Sequence, residues 1–186
     1  MKARRASRDL WLFAYGSLMA EGVGGTAARE PARLFGYHRA LCIYSHVYRG
    51  TENCPGLVLG LEPGGSCRGV AFRIPARRAE AVIATVTARE NVTGVYSPRR
   101  VMVTLTGTGR VAGRRVPAVA FVAERNHPQY AGKLAPRAIA RCLRQGKGTK
   151  GRASDYVKNV LDCLAKLGIR DRGLERFGKP VNDAKR

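Results

Sequence analysis

The sequence is poor in acidic residues, in histidine and in paired cysteine motifs. Its 186 residues include 13 Asp or Glu and 3 His. The 5 cysteines are odd in number and form no CxxC pair, which argues against a disulfide framework and against a zinc site of the usual spacing. The histidines fit no metal motif either. These absences argue against disulfide-stabilised secreted domains and against the common zinc proteins.

The chain also lacks a long hydrophobic run. No stretch of about 18 uncharged apolar residues occurs, so the sequence predicts no membrane-spanning segment. Residues 1–8 are basic, but the apolar run that follows them ends after about six residues, which is shorter than the core of a signal peptide. We therefore expect a cytoplasmic protein.

Positive charge is in excess, because 34 Lys and Arg residues give a formal net charge of +21. A balance this basic indicates attraction to nucleic acid or to anionic surfaces. The basic residues are nevertheless spread along the chain, and the densest cluster has no interleaved aromatic residues on which bases could stack. That cluster comprises Arg141, Arg144, Lys147, Lys150 and Arg152. We interpret the charge as a solvated surface, tuned to an anionic substrate or to the composition of the host, with nucleic-acid binding as the alternative.

The order of predicted elements indicates an α+β fold. Short β-like segments with glycine-rich separators dominate the first two-thirds of the chain and favour a curved or closed sheet. Helices dominate the last third and are expected to pack to one side of that sheet. After a first apolar strand, further strands are predicted at residues 40–48, 57–61, 69–74, 101–106 and 116–123. Helices are predicted at 76–90, 136–146 and 154–167, the last with Ser154 as its N-cap.

The length of the chain favours one domain over residues 1–186. We expect its core to span about residues 10–175. The tail at 170–186 is mixed in charge, and we expect it to be only partly ordered.

The most informative segment is residues 10–18, Leu-Trp-Leu-Phe-Ala-Tyr-Gly-Ser-Leu. Its length and aromatic content predict a buried strand. Gly16 would let the chain turn sharply after that strand, because glycine has no Cβ penalty at positive φ. Backbone N–H groups exposed at such a turn can hold a carboxylate or a developing oxyanion. The alternative is an ordinary turn after a strand.

A carboxylate lies where the helical pattern predicts an apolar residue. The apolar positions of the helix predicted at 76–90 fall on one face, and the same spacing reaches Glu90. These positions are Ala79, Val82, Ile83 and Val86. A buried carboxylate without a partner is costly, and its pKa rises. Glu90 is therefore a candidate catalytic residue, and the alternative is an ion pair with Arg89, Arg99 or Arg100.

These features together resemble a known family. Tyr-Gly-Ser-Leu at 15–18, after an apolar strand, resembles the signature of the γ-glutamylcyclotransferases. Further segments resemble the ChaC branch, which is glutathione-specific; they lie at residues 55–61, 64–73, 89–96, 126–132 and 154–156. The similarity runs from about residue 10 to residue 175. A lone Tyr-Gly-Ser-Leu would be weak, but several ordered matches at compatible spacing are specific.

The resemblance implies a small mixed or antiparallel β-barrel with flanking helices. It also implies an intramolecular transfer that converts glutathione into 5-oxoproline and Cys-Gly, with no metal or organic cofactor. The catalytic glutamate of the family falls on Glu90, and its substrate-holding loop falls on Tyr15, Gly16, Ser17 and Leu18. Whether the N–H groups of that loop hold the substrate carboxylate or the oxyanion stays open.

The chemistry of ring closure agrees with this assignment. The α-amine of the substrate is an ammonium at neutral pH and must lose a proton before it can attack the γ-carbonyl. Glu90 would take that proton as general base and later return one to the leaving amine as general acid. Tyr96 and Tyr156 are weaker candidates for hydrogen bonds to the substrate, with ordinary packing as the alternative. A cyclotransferase for another γ-glutamyl amine or amino acid and a basic nucleic-acid-binding protein are the competing functions.

Overall fold

A computed structural model describes residues 9–90 and 92–178. In these ranges, five strands form a closed barrel in the order β1-β3-β2-β4-β5. The strands are β1 Leu10–Ala14, β2 Ala28–Ser45, β3 Gly56–Ile74, β4 Tyr96–Leu105 and β5 Arg115–Ala123. Neighbouring strands are antiparallel except for β1 and β5, whose parallel pairing closes the barrel. The predicted α+β fold with a small mixed barrel is confirmed.

Among the described residues, two helices lie between barrel strands in the sequence, and three follow the last barrel strand. They are α1 Leu18–Glu21, α2 Ala79–Glu90, α3 Pro136–Gln145, α4 Ala153–Lys166 and α5 Arg172–Glu175. A short hairpin of β6 Lys147–Gly148 and β7 Gly151–Arg152 separates α3 from α4. No helix in the described part of the chain combines the length and the apolar character needed to cross a membrane.

The long hairpin of β2 and β3 differs from the prediction. Residues 57–61 and 69–74 were expected to be separate strands, but both belong to β3. Gly64 and Gly65 have positive φ values of +97° and +69°, and pairing with β2 continues on both sides of them. The glycines therefore bend the strand at a bulge rather than end it. The first half of β2, which no prediction covered, pairs along the same ladder.

The helix boundaries also differ in detail. The N-cap of α4 is Arg152, with no side-chain capping hydrogen bond, so the prediction that Ser154 caps this helix is wrong. A 3-10 turn at Ala76–Arg78 precedes α2. In the tail, Asp171 Oδ1 accepts a hydrogen bond from the Leu174 backbone N–H at 3.1 Å and caps α5. Residues 179–186 lie outside the described residues, so the expectation that the tail is only partly ordered stays a prediction.

The first strand lies at the centre of the core. Trp11, Leu12, Phe13 and Ala14 are all buried, as expected of a strand that is covered on both faces. Helix α4 packs against β3 and contributes buried apolar side chains at helical spacing. The residues that follow β1 are therefore held between the barrel and α4.

A buried guanidinium joins three segments that are distant in sequence. Arg39, on β2, has a side chain that is only 3% exposed and pairs with Asp171 Oδ2 at 2.6 Å. Its Nε donates to the Tyr15 carbonyl at 2.6 Å, and its Nη2 donates to the Arg68 carbonyl at 2.7 Å. Charge-assisted hydrogen bonds of this kind are stronger than neutral ones, so Arg39 fixes the end of β1 relative to β3 and α5.

Replacing Arg39 with Met should lower the free energy of unfolding by about 3 kcal/mol, because the substitution leaves buried oxygens without their donor. Urea denaturation followed by circular dichroism measures the change. The matched control is Arg99→Met, which removes a pair with Glu124 from a side chain that is 58% exposed. Exposed pairs contribute little, so the control should stay close to the wild type. Equal losses in the two variants would contradict the role given to Arg39.

Candidate active site

A cleft of about 120 Å³ opens where β1 ends. It is bounded by the turn after β1, by α1, by the C-terminal end of α2, by strands β3 and β4, and by α4. All the residues singled out from the sequence line this cleft: Tyr15, Gly16, Ser17, Leu18, Glu90, Tyr96 and Tyr156. The fold therefore brings together residues from the first strand and from α4, which are far apart in the sequence.

Glycine suits the turn after β1 for a different reason from the one predicted. Gly16 is not among the described glycines with positive φ, so the argument from left-handed backbone is wrong. A Cβ atom at Gly16 would instead lie 3.2 Å from Tyr156 Oη, which is tighter than an ordinary contact. Glycine at this position lets α4 bring the hydroxyl of Tyr156 against the turn.

The turn also presents free backbone donors. The Gly16 and Ser17 carbonyls accept hydrogen bonds from the first residues of α1. The N–H groups of Gly16 and Ser17 have no hydrogen-bond acceptor among the described residues. Both residues line the cleft, and unpaired N–H groups beside a cleft can bind an anionic oxygen.

Two buried tyrosines, Tyr15 and Tyr156, and the partly buried Tyr96 line the cleft, and each forms a hydrogen bond with the backbone of a barrel strand. Tyr15 Oη donates to the Phe121 carbonyl at 2.8 Å, and Tyr96 Oη donates to the Leu59 carbonyl at 2.7 Å. Tyr156 Oη accepts from the Leu59 N–H at 3.3 Å, so that bond does not use its own proton. Burial raises the pKa of all three phenols, which therefore stay neutral. These contacts hold the tyrosines in place, and all three residues line the cleft.

Glu90 ends α2 with its side chain 22% exposed, beside the turn after β1. Burial raises the pKa of this carboxyl; the Arg89 charge acts in the opposite direction, and the Glu21 charge reinforces the rise. The raised pKa is the direction predicted from its place on the helix. An ion pair with Arg89 is also present, at 3.1 Å between Nε and Oε1, whereas Arg99 pairs with Glu124 instead.

Arg89 is shared among the groups around Glu90. Its Nη2 lies 2.6 Å from Glu21 Oε2 and 3.5 Å from Ser17 Oγ. One guanidinium therefore serves two carboxylates, so it does not cancel the burial effect on Glu90. The same contacts connect the end of α2 to the turn and to α1.

Two cations at the cleft were not assigned to a site from the sequence. Arg49 lies with its guanidinium carbon 5.5 Å from the centre of the Tyr156 ring, and its Nη1 donates to the Lys150 carbonyl. Lys150 Nζ lies 4.1 Å from the centre of the Tyr48 ring. Both residues line the cleft, and the Lys150 charge lowers the pKa of Glu90. They add positive charge beside Glu90.

The hairpin of β6 and β7 carries Lys150 to the cleft. The Thr149 and Lys150 N–H groups each donate at 2.9 Å to the backbone after β2, at the Val47 and Tyr48 carbonyls. A Cβ atom at Gly148 would lie 2.4 Å from the Val47 oxygen, so only glycine permits this approach. The glycines at 146, 148 and 151, interleaved with Lys147 and Lys150, were the available signal, although the basic residues of that segment favoured a solvated surface.

The described residues contain no group of three or more His, Cys, Asp or Glu side chains arranged to hold a metal ion. The polar groups of the cleft are instead two carboxylates, cations, hydroxyls and backbone N–H groups. Such a set can bind an anionic substrate and move a proton.

The barrel and its cleft define a γ-glutamylcyclotransferase fold. A crystal structure of selenomethionine-labelled γ-glutamylcyclotransferase specific to glutathione from yeast matches with a TM-score of 0.84 at 19% identity, covering 92% of this chain and 94% of that chain. A family model described as ChaC-like protein matches residues 10–184. The chain therefore belongs to the ChaC-like family.

Curated relatives carry the same kind of name. The glutathione-specific gamma-glutamylcyclotransferase of Escherichia coli K12 is 33% identical over 165 residues, which are 89% of this chain and 69% of the relative. The Schizosaccharomyces pombe protein of that name is 29% identical and covers 95% of this chain and 93% of its own length. The family resemblance drawn from the sequence motifs is confirmed.

Replacing Glu90 with Gln should raise the melting temperature at about pH 8 and leave it unchanged at about pH 4. The pKa of Glu90 is higher in the folded chain than in the unfolded chain, so its ionisation costs stability as the pH rises through the folded pKa. Gln has no such cost. Thermal unfolding scans across this pH range measure the difference.

Glu175→Gln provides the control of opposite sign. The Arg170 side chain lowers the pKa of Glu175, so the ionised Glu175 favours the folded state above its unfolded pKa. Its removal should therefore not raise the melting temperature at neutral pH. A Glu90→Gln protein that is less stable than the wild type at every pH would contradict the burial argument.

Proposed function

We propose that this chain converts glutathione into 5-oxoproline and Cys-Gly. The observation that carries the proposal is the position of Glu90, a half-buried carboxylate with a raised pKa that lines the same cleft as the free backbone N–H groups. The names of the curated relatives support glutathione as the substrate. The neutral tyrosines and the cations of the cleft complete a site for an anionic γ-glutamyl compound.

Proton transfer through Glu90 begins and ends the reaction. The Glu90 carboxylate takes a proton from the substrate ammonium, and burial favours this step because it raises the proton affinity of the carboxylate. The free amine attacks the γ-carbonyl carbon, and the C–N bond to cysteine then breaks. The two protons that the substrate amine loses are the two that the leaving amine gains. Glu90 therefore ends the cycle as the carboxylate it was at the start, and no water is consumed.

The turn after β1 provides the positioning. The N–H groups of Gly16 and Ser17 bind either the α-carboxylate or the oxygen on which negative charge develops. Holding the γ-glutamyl chain in a folded conformation brings the amine to the carbonyl, and well-oriented intramolecular attack contributes several kcal/mol to the rate. Tyr156 Oη keeps a proton for a substrate oxygen, because its bond to the Leu59 N–H uses only a lone pair.

The cations at the cleft favour an anion. Glutathione carries two carboxylates and one ammonium at neutral pH. Arg49 is already occupied by carbonyls of the β6–β7 hairpin, and Arg89 is shared by two carboxylates. Lys150 forms no ion pair among the described residues, so its ammonium is the cation available to the substrate. We assign Lys150 to the glycine carboxylate at the outer edge of the cleft.

Glu90→Gln should reduce turnover of glutathione by at least about a thousandfold, because Gln cannot accept the proton. The assay incubates purified protein with millimolar glutathione and measures 5-oxoproline and Cys-Gly by mass spectrometry. Equal amounts of the two products are expected from the wild type. Glu80→Gln is the matched control, since Glu80 is an exposed residue of the same helix. Retained activity in folded Glu90→Gln would overturn the mechanism.

The same assay distinguishes the competing substrate class. Glutathione and γ-glutamyl-alanine share the γ-glutamyl group but differ in the leaving amine. A higher kcat/KM for glutathione is expected, because γ-glutamyl-alanine lacks the cysteine side chain and the glycine carboxylate. Turnover of γ-glutamyl-alanine alone would keep Glu90 as the acid/base and replace glutathione as the substrate.

Lys150→Met should raise the KM for glutathione by about tenfold with little change in kcat, because a charge-assisted hydrogen bond to the bound substrate is lost. Lys147→Met is the control, since Lys147 is exposed on the same hairpin and does not line the cleft. The increase should disappear when the glycine of glutathione is converted to its amide. An equal increase for the amide would exclude a contact with the glycine carboxylate.

A further inference from the structure

A second surface of the barrel combines exposed apolar side chains with arginines. We call it the Phe35 face, and its residues are Arg33, Phe35, Tyr37, Arg100, Met102 and Arg115. All of them except Arg33 line a groove of about 570 Å³ across strands β2, β4 and β5, and Arg33 lies against the Phe35 ring at its side. The proposed reaction uses none of them. The face lies towards the start of β2 and the end of β4, whereas the cleft uses Ser45 at the end of β2 and Tyr96 at the start of β4.

Two large apolar side chains of this face point to solvent. Phe35 is 58% exposed and Met102 is 44% exposed, while their neighbours Leu34 and Val103 are buried in the barrel. Successive side chains of a strand point to opposite faces, so these two lie on the outside of the barrel. A charged or small residue at either position would not lower the stability of the fold. An exposed aromatic ring beside a groove is therefore a feature that a ligand can use.

The arginines of the Phe35 face have no acidic partners. In the paired register of the barrel, Arg68 lies opposite Arg33, Arg33 opposite Thr104, and Thr104 opposite Arg115. Like charges on neighbouring strands repel each other. Within the described ranges, no carboxylate forms a salt bridge with Arg33, Arg68, Arg100 or Arg115. An anionic ligand would relieve this repulsion.

One of these arginines is already placed beside the aromatic ring. The guanidinium carbon of Arg33 lies 4.8 Å from the centre of the Phe35 ring. Its Nε and Nη2 donate to Ser66 Oγ at 3.1 and 2.8 Å, which holds the side chain in place. An aromatic ring and a fixed guanidinium together form a platform for a base and its phosphate.

We propose that the Phe35 face binds single-stranded nucleic acid. Unstacked bases would pack on Phe35 and Tyr37, and the phosphates would contact Arg33, Arg100 and Arg115. A double helix fits less well, because its bases are already stacked and cannot reach the ring. A second copy of this chain is also disfavoured, since a twofold interface would set the same arginines against each other. The net charge of +21, which a small substrate does not require, supports a polyanion.

The experiment measures fluorescence anisotropy of a labelled 12-nucleotide oligo(dT) with the full chain at several salt concentrations. We expect a Kd of about 1 μM at physiological salt. The affinity should decrease steeply as the salt concentration rises. Phe35→Ala should weaken binding by about tenfold, because a stacking partner is lost. Arg100→Gln/Arg115→Gln should weaken it by a similar factor and reduce the salt dependence.

The control removes the same charge elsewhere. Arg141→Gln/Arg144→Gln changes two exposed arginines of α3, outside the face, and should weaken binding by less than about twofold. Circular dichroism melting shows that each variant is folded. The test does not depend on the cyclotransferase proposal, because it reads binding alone.

Several results would overturn the inference. One is the absence of oligonucleotide binding at physiological salt. Another is an equal loss of affinity in the two double variants together with an unchanged affinity in Phe35→Ala. Equal affinity for a duplex of the same length, retained in Phe35→Ala, would indicate charge attraction without a stacking surface. If the protein did not bind the oligonucleotide but bound phosphatidylglycerol vesicles in a way that required Phe35, the face would belong to a membrane. If dimerisation required Phe35 instead, the face would belong to a second copy.

Discussion

A single buried guanidinium connects the barrel to the turn that lines the cleft. Arg39 donates a hydrogen bond to the carbonyl of Tyr15, the residue that immediately precedes the turn. The position of the turn therefore depends on β2, a strand that lines the cleft only with Ser45 at its C-terminal end. Arg39 also holds the Arg68 carbonyl and the Asp171 carboxylate. Because an unsatisfied buried charge is expensive, the three segments are stable only when all are in place. The geometry of the site therefore depends on the assembly of the barrel around Arg39.

The electrostatics of the cleft follow from how its cations are divided. If Arg89 served Glu90 alone, it would stabilise the ionised form and lower the pKa of that carboxyl. Glu21 takes part of the same guanidinium, at a shorter distance than Glu90. Glu21 belongs to the short helix that follows the turn, so the segment that carries the free N–H groups also carries the competing carboxylate. Burial then determines the pKa of Glu90, and a carboxylate of raised pKa is the group suited to exchanging protons with an amine.

The sequence predicted the features that have a local pattern. The buried first strand was visible as an apolar run, and Glu90 was visible because a carboxylate interrupts a helical apolar face. The importance of Gly16 was predicted, but the reason was not, since its contact with Tyr156 depends on where α4 packs. The place of Lys150 was missed, because Gly148 seats the hairpin by close backbone packing that leaves no hydrophobic pattern. Local periodicity predicted strands and helices, whereas it could not predict contacts between residues that are distant in the sequence.

The distribution of positive charge separates the two surfaces of the molecule. At physiological ionic strength, charges separated by more than about 8 Å in solvent are largely screened from each other, so arginines on the outer wall add little to the binding of a small anion in the cleft. At the cleft, Arg89 is engaged with two carboxylates and Arg49 with carbonyls, which leaves Lys150 for the substrate. The guanidiniums around Phe35 have no carboxylate partner in the described part of the chain. The charge that the proposed reaction does not use is therefore placed where an aromatic ring is exposed, and a ligand with both phosphates and bases is the one that gains from both.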